Sequence, residues 1–190
     1  MKKLTLSLLR DAAQKCRLPS GPSEAAVLLP LVQCEVPCVL LEVRAGGLRL
    51  HSGEVCFPGG FIQDGEGSWE CAKREAEEEI GWQVEEQQIV GDLGVWLNRK
   101  SKVRVAPWVV FNERPFSMDR LRINKEEVDH VFLARLTDLL NPKRRVYKNL
   151  HEGWPPVPFF YPDDKHIIWG FTGFVLAAYL DKLEPLIRDL

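Results

Sequence analysis

The sequence contains no C-x-x-C pair with a second pair downstream, no excess of basic residues, and no apolar run long enough to span a membrane. Its five cysteines (Cys16, Cys34, Cys38, Cys56, Cys71) are odd in number and scattered, which argues against zinc and suits a reducing, cytoplasmic setting. The formal net charge of −2 gives no basis for general affinity to nucleic acid or to a membrane surface, so neither is expected as a partner. Any anionic ligand must be met by local charge. The longest apolar stretch, Ile167 to Leu180, falls short of the roughly 20 residues of a membrane span and reads as a buried helix. The opening Met1-Lys2-Lys3-Leu4 starts like a secretion signal, but Arg10 and Asp11 cut its apolar run below the about 7–15 residues such a signal needs. An amphipathic helix is expected there instead. The chain closes on Arg188-Asp189-Leu190, with no Ser-Lys-Leu ending, and shows no repeats, low-complexity tract or interdomain linker.

What is present suits one globular domain: 190 residues, 45% of them hydrophobic. Leu4, Leu8, Ala12 and Cys16 recur at helical spacing before the break at Pro19 to Ser23, so residues 1–23 are expected to be a helix and linker, and 24–190 the main domain. Ala25 to Val32 and Pro37 to Val43 read as buried strands, Arg44 to Gly53 as a polar connection, and Glu54 to Phe57 as a short strand. Gln88 to Trp96 and Val103 to Phe111 suggest a hairpin, Val128 to Leu133 a further strand, and Arg135 to Leu140 a helical turn. Lys143 to Asp164 is expected to be a long loop or hairpin, followed by a last helix from near Ile167, bent at Pro185. Mixed strands with a few helices define an α/β class.

The chain is organised around Pro58 to Trp82. A glycine-rich loop (Gly59, Gly60, Gly65, Gly67) feeds a helix in which Trp69, Ala72, Ala76 and Ile80 form an apolar stripe. Beside that stripe Glu75, Glu78 and Glu79 share one face, where like charges repel and oppose the helix dipole near its C-terminal Gly81. A divalent cation would convert the repulsion into coordination, since Mg²⁺ and Mn²⁺ favour carboxylate oxygens. A solvated acidic face is the alternative for such a run taken alone. Glu77 points away from the three and is assigned to solvent. Arg74 is placed to pair with a neighbouring carboxylate and fix its rotamer, and Glu66 to do similar work from the loop.

The neighbours favour the metal. Gly60, five residues, Glu66, seven residues, Arg74-Glu75-Ala76, one residue, Glu78-Glu79, one residue, Gly81-Trp82 resembles the Nudix box at every fixed position. Ala76 and Trp82 fill its two aliphatic slots, a departure that touches packing only. The resemblance implies an α/β/α sandwich with a curved mixed sheet, and Mg²⁺- or Mn²⁺-dependent hydrolysis of a diphosphate. Glu75, Glu78, Glu79 and Gly60 are the expected metal set; the general base is one of the three glutamates or Glu126 or Glu127.

A second resemblance precedes the box. Leu40-Leu41-Glu42-Val43-Arg44, Arg49, Gly53 and Phe57-Pro58-Gly59-Gly60 are similar to the signature of coenzyme A diphosphatases, with Glu42, Ala45 and Gln63 departing from its Thr, Ser and Asp, and one fewer residue between Arg49 and Gly53. It implies cleavage of coenzyme A or acyl-coenzyme A, with Arg44 and Arg49 gripping phosphate as guanidinium groups do. The alternative is that the two arginines are exposed or pair with acidic side chains. The basic cluster Lys143, Arg144, Arg145 and Lys148 reads as a solvated loop, and Trp154 with Phe159-Phe160-Tyr161 as loop packing, although such rings also suit stacking on adenine. The substrate is expected to be a small nucleotide-containing molecule. Other Nudix substrates (ADP-ribose, NADH) and a non-catalytic nucleotide-binding role are the alternatives, and a homodimer is left open.

Overall fold

The computed structural model describes residues 4–46 and 53–188. In chain order its elements are α1 (Leu6–Cys16), β1 (Ala25–Gln33), β2 (Pro37–Arg44), β3 (Val55–Cys56), β4 (Gly59–Phe61), α2 (Ser68–Ile80), β5 (Ile89–Asp92), β6 (Trp96–Leu97), β7 (Arg104–Pro115), β8 (Val128–Arg135), α3 (Leu136–Leu139), β9 (Arg145–Lys148), β10 (Val157–Phe160) and α4 (Gly170–Arg188).

β1 and β7 pair in parallel at the centre, from Ala25 opposite Val105 to Val32 opposite Asn112. The other edge of β1 is divided: β4 pairs antiparallel with Ala25 to Val27, and β2 with Leu31 to Gln33. β2 then leaves β1 and runs between β8 and β3, which gives the expected curved, mixed sheet. The division explains how a proline sits in a central strand. Leu28 donates its N–H to the Pro58 carbonyl at 2.8 Å. Two residues on, the nitrogen of Pro30 faces the same edge, where β4 has ended and β2 has not begun, so no ladder bond is lost.

Strands covered on both faces read as continuous apolar runs, and the alternation within them sorts two cores. Leu29, Leu31, Val39, Leu41, Val109 and Phe111 face α1 and α4. Ala26, Leu28, Leu40, Ala106 and Val110 face α2 and its stripe Trp69, Ala72, Ala76 and Ile80. The result is the α/β/α sandwich. Thr5 caps α1 by accepting from the Leu8 N–H at 3.3 Å, and the buried Tyr179 hydroxyl of α4 donates to the Leu9 carbonyl at 3.2 Å.

Three expectations change. Gly59 and Gly60 are strand rather than loop, because β1 offers an unpaired edge to them. The run from Gln88 to Trp96 is two short strands on β7, since Leu18 N–H donates to the Leu93 carbonyl at 2.9 Å and Val95 N–H to the Pro19 carbonyl at 3.2 Å, pulling the chain between them off the ladder. The last helix begins at Gly170, because Ile168 bridges to Phe160 and keeps the preceding residues extended. Residues 145–160 form the β9–β10 hairpin.

Candidate functional site

Helix α2 starts after Gly67 and is stopped by Gly81, whose φ of 68° is left-handed. Gly81 N–H returns to the Glu77 carbonyl at 2.9 Å and Trp82 N–H to the Ala76 carbonyl at 3.1 Å, a Schellman-type close. A β-carbon on Gly81 would lie 2.7 Å from the Arg122 β-carbon and 2.8 Å from its backbone nitrogen, so glycine is also required by contact. This close fit ties the loop after β7 to the helix end: Arg122 N–H donates to the Ile80 carbonyl at 3.0 Å and Asn124 N–H to the Glu79 carbonyl at 2.9 Å.

The carboxylates then fall into two groups. Arg74 gathers the first. Its Nε and Nη2 reach Glu66 Oε1 and Oε2 at 2.9 and 3.0 Å, and its Nη1 reaches Glu75 Oε1 at 2.8 Å and Glu78 Oε2 at 2.9 Å. The bonds to Arg74 hold Glu66 below the usual carboxylate range, while burial raises Glu75 against the pull of the same arginine. Gly60 approaches Glu75 so closely that any side chain there would strike its carboxylate, and the Gly60 carbonyl accepts from Cys71 Sγ at 3.5 Å. Glu77 lies outside the site, accepting from Gln83 Nε2 at 2.9 Å.

The second group is buried. Glu79 is 1% exposed; its Oε2 accepts the Gly59 N–H at 2.8 Å and its Oε1 lies 3.8 Å from Arg44 Nη1. Glu42, 0% exposed, projects from β2 to the α2 face of the sheet, as the alternation from Leu40 requires. Its Oε1 accepts from Cys56 Sγ at 3.2 Å across the β2–β3 pair, and its Oε2 has no partner among the described residues. Burial is the main cause that pushes Glu79 up to about 9 and Glu42 up to about 7; the charge of Glu42 opposes ionisation of Glu79, and those of Glu127 and Glu75 oppose ionisation of Glu42. The Cys56 thiol is raised by burial and by Glu42, so it stays protonated.

The structure thus brings together Glu66, Arg74, Glu75, Glu78, Glu79, Gly60 and Arg44; Arg49 lies outside the described residues. Of the two outlying glutamates, Glu127 is half-buried, accepts from Asn124 Nδ2 at 3.1 Å and opposes the charges of Glu42 and Glu75. Glu126 is exposed. Sequence reasoning passed over Glu42, treating it as a departure from a threonine. A carboxylate between Leu41 and Val43 in an apolar strand is the signal that finds it, since such a group is costly to bury without a task.

Among the described residues no three carboxylates converge as a ready ligand set: Arg74 spreads Glu75 and Glu78, and Glu79 is turned to Gly59. The chemistry nevertheless fits a hard divalent ion. Five carboxylates (Glu42, Glu66, Glu75, Glu78, Glu79) meet two guanidinium groups, and one buried carboxylate oxygen has no donor. Glu75, Glu78 and Glu79, with the Gly60 carbonyl, are the residues that would hold it.

A carboxylate-rich helix closed by glycine, on a curved mixed sheet, defines the class: the chain belongs to the NUDIX domain family, whose model matches residues 22–157, and is a hydrolase of phosphoric anhydride bonds. Its relatives narrow the comparison. It is 35% identical over 180 residues to the mouse mitochondrial coenzyme A diphosphatase NUDT8, covering 92% of this chain and 84% of that one. It is 33% identical over 181 residues to Nudix hydrolase 3 of Caenorhabditis elegans, covering 86% and 74%. A MutT/nudix family protein from Enterococcus faecalis shares the fold, with a TM-score of 0.58 at 15% identity over 96% of this chain and 70% of that one. No helix among the described residues is long and apolar enough to cross a membrane.

Proposed function

We propose that this Nudix hydrolase cleaves the diphosphate of coenzyme A or acyl-coenzyme A, adding water across the P–O–P bond to give 3′-phosphoadenosine 5′-phosphate and 4′-phosphopantetheine or its acyl derivative. The observation that carries the reading is the meeting of β2 and α2, where Arg44 of the upstream signature lies against Glu79 of the box. The relatives named as coenzyme A diphosphatases support the same substrate.

Divalent Mg²⁺ or Mn²⁺, when bound, neutralises diphosphate charge and activates water. The chain's own residues do the rest. Glu75, Glu78 and Glu79 supply the anionic face, with Gly60 beside them. Arg74 and Glu66 fix the rotamers of that face, and Arg44 and Arg49 bind phosphate oxygens. Outside the box the candidate base is Glu127, which is half-buried and held by Asn124 Nδ2, whereas Glu126 beside it is exposed.

The departures at Glu42, Ala45 and Gln63 favour keeping a second reading, a Nudix diphosphatase acting on ADP-ribose, NADH or another nucleoside diphosphate derivative. Turnover of coenzyme A, acyl-coenzyme A, ADP-ribose and NADH, measured with Mg²⁺ and with Mn²⁺, tests the assignment. A preference for coenzyme A or its thioesters is expected; a preference for ADP-ribose or NADH overturns it. All five cysteines are free thiols, which suits a reducing compartment such as the cytoplasm, while two relatives are named mitochondrial. Imaging of the tagged protein distinguishes the two.

A further inference from the structure

We propose that Glu42 is an additional ligand of the divalent cation, a fourth carboxylate brought by strand β2 to the three of the helix. The inference rests on the metal-dependent reading above and deepens it. Three observations carry it. Glu42 is fully buried, so its charge has no water to stabilise it. Its Oε1 is engaged by Cys56 Sγ, which leaves Oε2 as a shielded oxygen with no donor among the described residues. Finally, it lies among other carboxylates: Glu127 and Glu75 oppose its ionisation while Arg44 favours it, and Glu42 in turn opposes ionisation of Glu79.

A buried carboxylate placed among other carboxylates is destabilising in its ionised form unless a cation joins them, and holds a proton otherwise. Arg44 does not fill that role alone, since its guanidinium stands 3.8 Å from Glu79 and is itself partly exposed. Glu42 has the correct donor chemistry for Mg²⁺ or Mn²⁺, an anionic oxygen. It also occupies the position where the coenzyme A diphosphatase signature has threonine, so this chain offers a carboxylate oxygen where that signature offers a neutral hydroxyl.

The test is Mn²⁺ binding, followed by calorimetry and by the electron paramagnetic resonance of the free ion, in wild type and in the Glu42→Gln, Glu42→Asp and Glu79→Gln variants. Metal-free thermal unfolding confirms that each variant is folded. Glu42→Thr is the further variant should Glu42→Gln fail to fold, and the same loss of affinity is expected of it. Glu42→Gln is expected to weaken Mn²⁺ binding at least about tenfold, the lower end of what removing even an outer partner of a metal site does. Glu42→Asp, which keeps the charge but retracts the oxygen by one methylene, is expected to weaken it too. Wild-type affinity in Glu42→Asp together with loss in Glu42→Gln overturns the ligand role in favour of a charge acting at a distance. Unchanged affinity in both, with loss in Glu79→Gln, overturns the inference and leaves the metal-dependent reading standing. Failure of wild type to bind Mn²⁺ removes the reading itself.

Discussion

Arg74 and Glu66 are joined by two parallel hydrogen bonds of 2.9 and 3.0 Å, while the third nitrogen of the same guanidinium holds Glu75 and Glu78. One planar group therefore sets the positions of three carboxylates, a task for which arginine is suited and lysine is not. Lysine at position 74 keeps the charge but loses the fork. Arg74→Lys is expected to lower kcat/KM by about 1.5–3 kcal/mol, the range of a hydrogen bond to a charged group, with a small effect on Tm. Steady-state kinetics at saturating metal measures it.

Glu79→Gln should cut turnover by several orders of magnitude. The amide oxygen can still accept the Gly59 N–H, and the neutral amide stands in for the protonated acid that burial favours, so the metal-free protein should be no less stable than wild type. Near wild-type turnover in the folded variant, at saturating metal, would take Glu79 out of the site.

The buried pair predicts an unusual pH dependence of stability. Without metal, folding raises Glu79 from 4.5 to about 9 and Glu42 from 4.5 to about 7. Protons are held more tightly in the folded state, so the contribution is complete below about 4.5 and is lost as pH rises through about 7 for Glu42 and about 9 for Glu79. Tm of the metal-free protein should therefore fall across this window, and Glu79→Gln should flatten its upper part. Saturating Mg²⁺ or Mn²⁺ should reverse the trend, because metal binds the ionised carboxylates. Melting curves with and without metal across the range decide the matter.

Arg44→Ala and Arg49→Ala are expected to lower kcat/KM for coenzyme A by about 1–3 kcal/mol, the scale of a charge-assisted hydrogen bond. Dephospho-coenzyme A lacks the 3′-phosphate, so an arginine that grips that group should matter far less with it. Coupling between substrate and substitution is expected for at least one arginine. Equal losses on both substrates would assign the pair to the diphosphate instead.

Gly81→Ala places a side chain at a φ of 68° and against Arg122. Denaturant unfolding should show a loss of about 1–3 kcal/mol, the range of a residue held in a sparsely populated conformation. Since the Arg122–Val128 loop hangs from this helix end, activity should fall as well, more than with an alanine on the exposed face of α2.

Much of this architecture is written locally. The stripe Trp69, Ala72, Ala76 and Ile80 and the stop at Gly81 foretell α2, and the runs at Ala25 and Pro37 foretell strands buried on both faces, because period and residue type agree there. Where a distant segment decides, the local pattern misleads. Gly59 and Gly60 have poor strand propensity and become strand only because β1 presents an edge to them. The break between β5 and β6 comes from Leu18 and Pro19, which lie far away in the chain. Glu75, Glu78 and Glu79 could be placed on one face from spacing alone, but the division into an Arg74-held pair and a buried Glu79 depends on where β2 and β4 lie. Glu42 escaped because its hydrogen-bond partner comes from β3 and the charge of Glu75 opposing it from α2, both invisible from its own strand.

The bond from the Tyr179 hydroxyl to the Leu9 carbonyl joins the first and last helices on the side of the sheet away from the carboxylates. A substitution that opens a cavity there should lower stability by the few kcal/mol typical of large-to-small core changes, with little influence on bond cleavage. The sheet therefore acts as a partition between persistence and chemistry. Variants of α1 and α4 would alter the protein's abundance in a cell while sparing its turnover number, so the two traits are free to drift separately as the lineage diverges.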